Sequence, residues 1–280
     1  MTTQVIAELD NLISILESQM PCNVNSPANQ RLERRLEREL RQYFKSLEDA
    51  FPYGQVGQLY SRYVIKETLG RGAWDGIHST LDPLLALFSE SLEVMVNGHL
   101  VTIYISGSVE MMTWGKTLGG IPIAYEGPPI EQAISYAEKH CATLVTRMDE
   151  ETKRRLAQVI SEGIQNKRGV PGIATDIKRE LGWMGRGRPS AIKGLTMQGR
   201  AMMIARTETN DALSQAFMDR AKDMGIEYKE VVNGPAPCDI CASNAAEGIV
   251  PLNHTFGSGH TRPPFHPNCV CALAPARLGK

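Results

Sequence analysis

Apolar residues recur every three to four positions along most of this chain, which is the spacing of one face of an α-helix. The clearest stripe runs from Leu32 to Leu47, and the opposite face of that segment is dense in Arg and Glu. Gly225 follows the last such stretch and is placed to end it as a C-terminal cap. The pattern predicts helices over residues 4–20, 29–50, 79–92, 130–147, 149–165, 171–182 and 198–223.

Two other stretches have the pattern of β-strands. Asn97-Gly98 lies between two apolar runs and is the preferred two-residue turn of a β-hairpin. The sequence therefore predicts a hairpin near residues 93–105, with His99 beside its turn on the surface. Residues 226–232 alternate like a short strand and lead directly into a cysteine-rich tail.

These elements predict an α+β fold that is predominantly helical, with a helical body, one β-hairpin and a small irregular C-terminal module of the zinc-knuckle type. Gly- and Pro-rich stretches divide the chain into three consecutive segments. They are an N-terminal helical hairpin over 1–52, a mainly helical body over 53–197 that carries the β-hairpin, and a C-terminal domain over 198–280. Whether residues 1–125 form a separate domain stays open.

The composition is that of a soluble globular protein, since 42% of the 280 residues are hydrophobic and 22% are charged. No apolar run reaches the length of about 18 residues that a membrane span needs, so none is predicted. The N-terminus lacks the basic segment of a secretion signal. Six cysteines in a chain this long do not suggest a disulfide scaffold. Cys22 and Cys141 are expected to be isolated thiols, and the expected setting is a reducing cytoplasm.

A basic tract runs from Lys153 to Arg206, with twelve basic residues and three acidic ones, in a chain whose net charge is −1. Such a tract is typical of contact with an anionic partner, either nucleic acid or an acidic protein surface. Ordinary solvated helix faces are the alternative. The candidate contacts for DNA or an acidic partner are Lys167, Arg168, Lys178, Arg179, Arg186, Arg188, Lys193 and Arg200.

The tail carries the strongest chemical signal, Cys238-x-x-Cys241, then 24 residues, then His266, Cys269 and Cys271. Two thiolates from one tight turn and a second pair three residues apart can bind one tetrahedral ion, and their softness favours Zn²⁺ in a structural role. The preferred set is Cys238, Cys241, His266 and Cys269, with Cys271 as the alternative to His266. Free thiols and a redox-active Cys-x-x-Cys pair are the competing interpretations. The gap between the two pairs is longer than in common zinc ribbons.

A catalytic zinc would need an open coordination position and a nearby general base. Glu247, His254 and His260 are candidates, but no His-Glu-x-x-His or His-x-Glu motif organises them, and they are expected to be surface loop residues. The chain is therefore predicted not to be an enzyme. The alternative is a zinc-dependent hydrolase or nuclease acting on DNA or peptidoglycan. A sequence-reading DNA-binding protein is disfavoured, because no recognition helix adjoins the cysteines.

The motifs of the last third follow a specific order. Ala205-Arg-Thr-Glu-Thr209 lies on a helix, and after it come the cysteine pair, Gly248-Ile-Val250 and Pro263-Pro-Phe-His-Pro-Asn-Cys-Val-Cys271. Over about residues 199–275 this order resembles the C-terminal region of the Mu F-like head-morphogenesis family, the minor head proteins of tailed bacteriophages. The family commonly has Arg between the last two cysteines, where this chain has Val270. The resemblance makes the last predicted segment a Mu F-like C-terminal domain.

The resemblance implies a minor capsid protein of the virion, present in few copies inside the head near the portal, and in the host cytoplasm during assembly. It would act in head assembly, DNA packaging or DNA ejection. The implied partners are the portal protein and the major capsid or scaffold protein, with non-specific contact to packaged double-stranded DNA. Arg206, Thr207 and Glu208 occupy the family's Arg-Thr-Glu. Arg206 and Glu208 point to nearly opposite sides of a helix, so each is expected to clamp a neighbouring segment such as the cysteine tail.

Overall fold

The computed structural model describes residues 20–65, 71–123, 129–166, 169–181 and 197–276. The predicted helix over 4–20, apart from its last residue, lies outside these residues, and so do residues 182–196, which connect the last two predicted helices. The described chain is predominantly helical, with a small antiparallel sheet and a cluster of Cys and His side chains near its C-terminal end. The α+β prediction is therefore confirmed.

Among the described residues, six helices come first, and a module of one further helix and three strands follows. The helices are α1 (Pro27–Ala50), α2 (Tyr53–Ile65), α3 (Arg71–Thr117), α4 (Ile130–Gln165), α5 (Val170–Leu181), α6 (Met197–Asp223) and α7 (Asp239–Ala246). The strands are β1 (Tyr228–Val232), β2 (Val250–Pro251) and β3 (Ala272–Ala276).

The start of α1 follows directly from its sequence. The Ser26 hydroxyl accepts a hydrogen bond from the Asn29 N–H at 3.2 Å, which caps the helix, and Pro27 fills the first helical position. The predicted apolar stripe is buried, with Leu36 and Leu40 fully inaccessible to solvent. The prediction of a helix over 29–50 is confirmed, and the helix begins two residues earlier.

The predicted hairpin near 93–105 is wrong, because these residues lie inside the 47-residue helix α3. Leu92, Val96 and Leu100 are buried at four-residue spacing, so the apolar runs that suggested two strands form one helix face. Burial of that face outweighs the turn preference of Asn97-Gly98. His99 lies on the buried side of the helix, with 8% of its surface exposed, and not on the surface as predicted.

One helix after α3 is longer than predicted. The two helices predicted over 130–147 and 149–165 form the single 36-residue helix α4. The predicted helix over 171–182 corresponds to α5 and is confirmed. Both isolated thiols are buried and donate to backbone carbonyls, Cys22 to Gly107 and Cys141 to Glu93.

Gly225 ends α6 as predicted and directs the chain into the sheet. Its φ of 68° is left-handed, its N–H donates to the Lys222 carbonyl, and the Ile226 N–H donates to the Ala221 carbonyl. This is the Schellman pattern of helix termination. The strand that follows, β1, lies between β2 and β3 and pairs antiparallel with both; Lys229 faces Val250 on one side and Pro275 on the other.

The described chain divides into two compact units, each assembled from separate stretches. One unit contains the residues up to Glu37, Gly98–Ala137 and the residues from Met203 onward; the other contains Arg38–Asn97 and Glu138–Met202. These units do not coincide with the three consecutive segments predicted from the sequence, because α1, α3, α4 and α6 each contribute residues to both.

Each unit has its own apolar core. In the unit that contains the C-terminal module, Tyr104 and Tyr136 stack with ring centroids 5.4 Å apart and pack on Ala216. Their hydroxyls donate to Asp219 at 2.6 Å and to Asp211 at 2.7 Å, so α3 and α4 are each joined to α6 by a partly buried hydrogen bond. The core of the other unit consists of Leu47, Phe51, Val56, Tyr60, Leu85, Leu156, Val159, Ile160, Ile173 and Ile177.

By length and composition, one segment of the described chain, Asp82–Thr117 in α3, could cross a membrane. A single helix of this kind is weak evidence, because core helices of soluble proteins meet the same criteria. This segment also carries polar groups with protein partners: Ser108 accepts from Arg220 at 2.6 Å, and Glu110 accepts from the Cys22 N–H at 2.7 Å. That the chain has no membrane span stays a prediction.

Candidate metal centre

Two tight turns present the predicted metal ligands. Cys238 occupies the N-cap position of α7, and Cys241 lies one turn further on, with the Ala242 N–H donating to the Cys238 carbonyl. In the second turn the Cys269 N–H donates to the His266 carbonyl at 3.1 Å. Asn268, between them, has a left-handed φ of 66°. Each turn places two donors on the same side of the backbone, as knuckle-type metal sites require.

The structure brings the five predicted donors together. The Nε2 atom of His266 lies 3.3 Å from the Cys238 Sγ and 3.1 Å from the Cys241 Sγ, and the Sγ atoms of Cys241 and Cys269 are 3.8 Å apart. Two triads result, each with all ligand atoms within 4.8 Å of one another. They are Cys238/Cys241/His266 and Cys241/Cys269/Cys271, and Cys241 belongs to both. This cluster could bind a metal ion.

The orientation of the His266 ring suits metal binding. Its Nδ1 lies 2.8 Å from the Pro267 carbonyl oxygen, so Nδ1 carries the proton and donates it there. Nε2 is then the atom with a free lone pair, and it is the atom that faces the two thiols. A carbonyl contact of this kind on the far side of the ring fixes the tautomer in many metal-binding histidines.

The thiols of the cluster are electrostatically inequivalent. A hydrogen bond from Cys271 lowers the pKa of the Cys269 thiol to about 5, whereas that same bond and burial raise the pKa of Cys271. Burial raises the pKa of Cys241 to about 12, and the Cys241 N–H lowers the pKa of Cys238. Two thiols of the cluster thus form thiolates easily and two do not, and a bound cation would favour the thiolate form of all its ligands.

The Arg-Thr-Glu segment of α6 contacts the second turn. The Arg206 guanidinium donates to the Asn268 Oδ1 at 3.0 Å and to the Glu33 carboxylate of α1 at 3.2 Å. The Thr207 hydroxyl accepts from the Asn268 N–H at 2.9 Å. Glu208 is buried, and burial, the Asp211 carboxylate and Glu208 raise the pKa of Tyr136. Arg206 and Thr207 therefore hold the turn.

Asn210 is the functional residue that the sequence analysis missed. It is fully buried, and its Nδ2 donates to the Cys269 carbonyl at 2.9 Å and to the Cys271 carbonyl at 3.1 Å. Its Oδ1 accepts from the Ser214 hydroxyl at 3.2 Å. The available signal was the polar series Thr207, Asn210 and Ser214, which recurs at helical spacing along α6.

Gly234 allows the chain to approach the second turn closely. A Cβ at this position would lie 2.4 Å from the Val270 Cγ2 and 2.7 Å from the Val270 carbonyl oxygen. On the other side the Asn25 Nδ2 donates to that same carbonyl at 3.0 Å. Next to Gly234, the Asn233 Oδ1 accepts the Cys271 thiol at 3.6 Å. The Cys-Val-Cys segment is therefore enclosed on several sides.

The long gap between the two knuckles is a loop with its own small core. Lys229 of β1 is fully buried, and its ammonium donates to the carbonyls of Leu252 at 2.6 Å, His254 at 3.2 Å and Thr261 at 2.5 Å. Its Nζ lies 5.2 Å from the centre of the Phe256 ring, which packs edge-on against Phe265. These contacts organise the extra residues that distinguish this segment from a common zinc ribbon.

The three candidate catalytic residues contact other loop groups. The Glu247 carboxylate lies 2.6 Å from the His254 Nε2 and accepts the Gly257 N–H at 2.8 Å. The Nδ1 of His260 lies 3.1 Å from the Ser258 carbonyl oxygen. Glu247 and His260 are exposed, and neither they nor His254 belong to the two triads formed by the described residues.

Of the predicted basic contacts, the structure describes the side chains of Lys178 and Arg200. Lys178 is exposed and lies 4.0 Å from Glu48. Arg200 is 4% exposed, donates to the Met148 carbonyl at 3.4 Å and lies over the Phe44 ring. Its prediction as a DNA or portal contact is therefore wrong. Outside the described residues or side chains lie Lys167, Arg168, Arg179, Arg186, Arg188 and Lys193.

Comparison with known proteins gives no further identification. No protein-family model matches the chain, and neither curated proteins nor solved structures match it. The resemblance to phage minor head proteins therefore depends on the helix and cysteine motifs alone.

Proposed function

We propose that this chain is a minor head protein of a tailed bacteriophage, a structural component that acts at the portal vertex in head assembly, DNA packaging or DNA delivery. In its C-terminal module, residues 226–276, one structural zinc ion joins the two cysteine turns, and Arg206, Thr207 and Asn210 of α6 contact the second turn. In this proposal the module is a rigid platform for a partner in the head and has no catalytic role.

Zinc is proposed because the donors and their spacing suit it. Zn–S bonds of about 2.3 Å at tetrahedral angles put two sulfurs about 3.8 Å apart, which is the distance between Cys241 and Cys269. Cys238 and His266, which form a triad with Cys241, would supply the other two ligands. His266 is preferred to Cys271 as the fourth ligand, since its Nε2 faces both thiols of the first knuckle and Cys271 donates to Asn233.

The observation that carries the proposal is the contact between the two motifs that resemble the phage family. Arg206 and Thr207 are separated from Asn268 by about 60 positions, yet both bind it directly. Asn210, one turn after this pair, holds both carbonyls of the last two cysteines. A helix motif and a cysteine motif that are found together in one family would be expected to act on each other in this way.

The partners remain as predicted: the portal protein first, then the major capsid or scaffold protein, with non-specific contact to packaged DNA. Burial of Arg200 and pairing of basic residues weaken the DNA contact. The Lys153 ammonium lies 2.9 Å from Asp82, and Arg154 and Arg155 both pair with Glu151. These pairs reduce the positive charge available to phosphates.

The alternative, a zinc-dependent hydrolase or nuclease, has less support. Four protein ligands would leave no coordination position for water. The nearest carboxylate candidate, Glu247, is engaged by His254 and by the Gly257 N–H. No observation on the described residues favours this activity over the structural role.

The test is co-expression of the chain with the portal protein encoded by the same phage, followed by isolation of the portal ring. We expect wild-type chain to co-purify with one zinc per chain. Cys241→Ser should lose both the zinc and the association, because Cys241 belongs to both triads. Cys141→Ser, a matched change at a buried thiol outside the cluster, should retain both. A wild-type chain that is absent from portal rings and from purified particles would refute the proposal.

A further inference from the structure

Five soft donors lie in the two triads, whereas tetrahedral zinc needs four. The two triads that share Cys241 differ in character. Cys238 is exposed and His266 is partly exposed, so the outer triad is mixed and reaches solvent. The inner triad, Cys241, Cys269 and Cys271, is all sulfur, and its three members are only 1–2% exposed.

This difference matters because soft metals differ in the coordination they accept. Zinc takes four ligands from sulfur, nitrogen and oxygen, whereas thiolate ligands alone suit Cu(I). Three sulfurs around one ion, at bonds of about 2.3 Å, lie about 4 Å from one another. The Cys241 and Cys269 sulfurs are 3.8 Å apart, and all three sulfurs lie within 4.8 Å. The inner triad is therefore close to the size of a three-sulfur site.

Neighbouring residues also hold the backbone of the inner triad in place. Asn210 binds the carbonyls of Cys269 and Cys271, which fixes the backbone on either side of Val270. Gly234 packs directly on Val270. Such an enclosure keeps the sulfurs in place and keeps water from them, and a shielded all-sulfur site stabilises the reduced, monovalent state of copper.

We propose that Cys241, Cys269 and Cys271 form an all-sulfur binding site for a soft monovalent cation, Cu(I), as an alternative to the zinc set. The two modes share Cys241 and Cys269, so the ions compete for one centre. His266 belongs to the zinc mode only, and Cys271 to the copper mode only. Cu(I) enters as Cu(I) and displaces thiol protons to the buffer, and no electrons are transferred.

This proposal shares Cys241 and Cys269 with the proposed zinc centre but does not require zinc to bind. Two single substitutions distinguish the two binding modes. Cys271→Ser should retain one zinc per chain and weaken Cu(I) at least tenfold. His266→Gln should weaken zinc at least tenfold and leave Cu(I) within threefold of wild type. Cys22→Ser, a buried thiol outside the centre, is the matched control for both.

The measurement is anaerobic titration of the full chain with a Cu(I)–acetonitrile complex against a chromophoric Cu(I) chelator, with zinc titrated separately against a zinc chelator. X-ray absorption of the wild-type copper form should give about three sulfur neighbours and no nitrogen. The proposal is overturned if Cys271→Ser binds Cu(I) as tightly as wild type, or if nitrogen appears in the copper shell. Should Cys271→Ser fail to fold, the absorption spectrum of wild type decides alone. A wild type that binds Cu(I) through three sulfurs but holds no zinc would sink the zinc proposal and leave this one standing.

Discussion

Asn210 links the helix to the metal-binding turn, and its removal is the most informative single change. Asn210→Ala deletes the donor to the Cys269 and Cys271 carbonyls, at 2.9 and 3.1 Å, in a fully buried position. Two buried carbonyls left without partners cost about 2–4 kcal/mol together. If ordering of the turn and metal binding are coupled, that cost weakens metal binding by roughly 30- to 700-fold at 1.4 kcal/mol for each factor of ten.

The assay is zinc competition against a chromophoric chelator at neutral pH. Ser214→Ala, which removes only the bond to the Asn210 Oδ1 at 3.2 Å, should weaken zinc by about fivefold, corresponding to about 1 kcal/mol. Asn253→Ala, an identical change at an exposed loop position, should have no effect. A zinc affinity of Asn210→Ala within threefold of wild type would refute the reasoning that this side chain holds the turn in place.

Three further changes test the fold around the centre. Gly98→Ala should stabilise the protein to heat by about 0.5–1 kcal/mol, because the added methyl meets no atom within 4 Å and favours a helix; a lower melting temperature would contradict a continuous α3. Gly234→Ala should weaken zinc binding by at least tenfold, because the added methyl collides with Val270. Gly257→Ala, where a methyl has room, should leave zinc binding unchanged. Equal zinc affinities of the two variants would contradict the close approach of Gly234 to Val270. Tyr104→Phe should cost about 1–2 kcal/mol in urea unfolding, because the Asp219 Oδ2 loses the donor that this hydroxyl supplies. An unchanged midpoint would count against that bond.

The local pattern predicted most helices but misjudged their continuity. The stripe of α1, the end of α6 at Gly225 and the strand β1 all follow from periodicity and capping residues. The hairpin prediction failed because Asn97-Gly98 gives a strong local signal, while the burial that makes α3 continuous comes from packing distant in sequence. Local sequence preferences cannot reveal packing between residues that are distant in the sequence.

For the candidate metal site too, local features could be predicted from the sequence and contacts between distant residues could not. Spacing alone identified the five donors, since knuckles are local structures. Asn210 was missed because its partners lie about 60 residues away in the sequence. The local sequence around an Asn within a helix does not indicate which atoms the side chain binds. Arg200 was misjudged for the converse reason: a basic residue in a basic tract is expected at the surface, but here it packs on an aromatic ring.

Hydrogen exchange of the full chain, followed by mass spectrometry with and without a zinc chelator, tests most directly whether a zinc ion holds the two knuckles together. We expect chelation to expose the amides of residues 233–276 and the Arg206–Asn210 segment of α6, whose partners are in the second knuckle, while α5 and the adjoining half of α4 keep their protection. Restored zinc should restore the protection. Unchanged exchange in the C-terminal module after complete removal of the metal would contradict the account, because the two knuckles would then be held together without an ion.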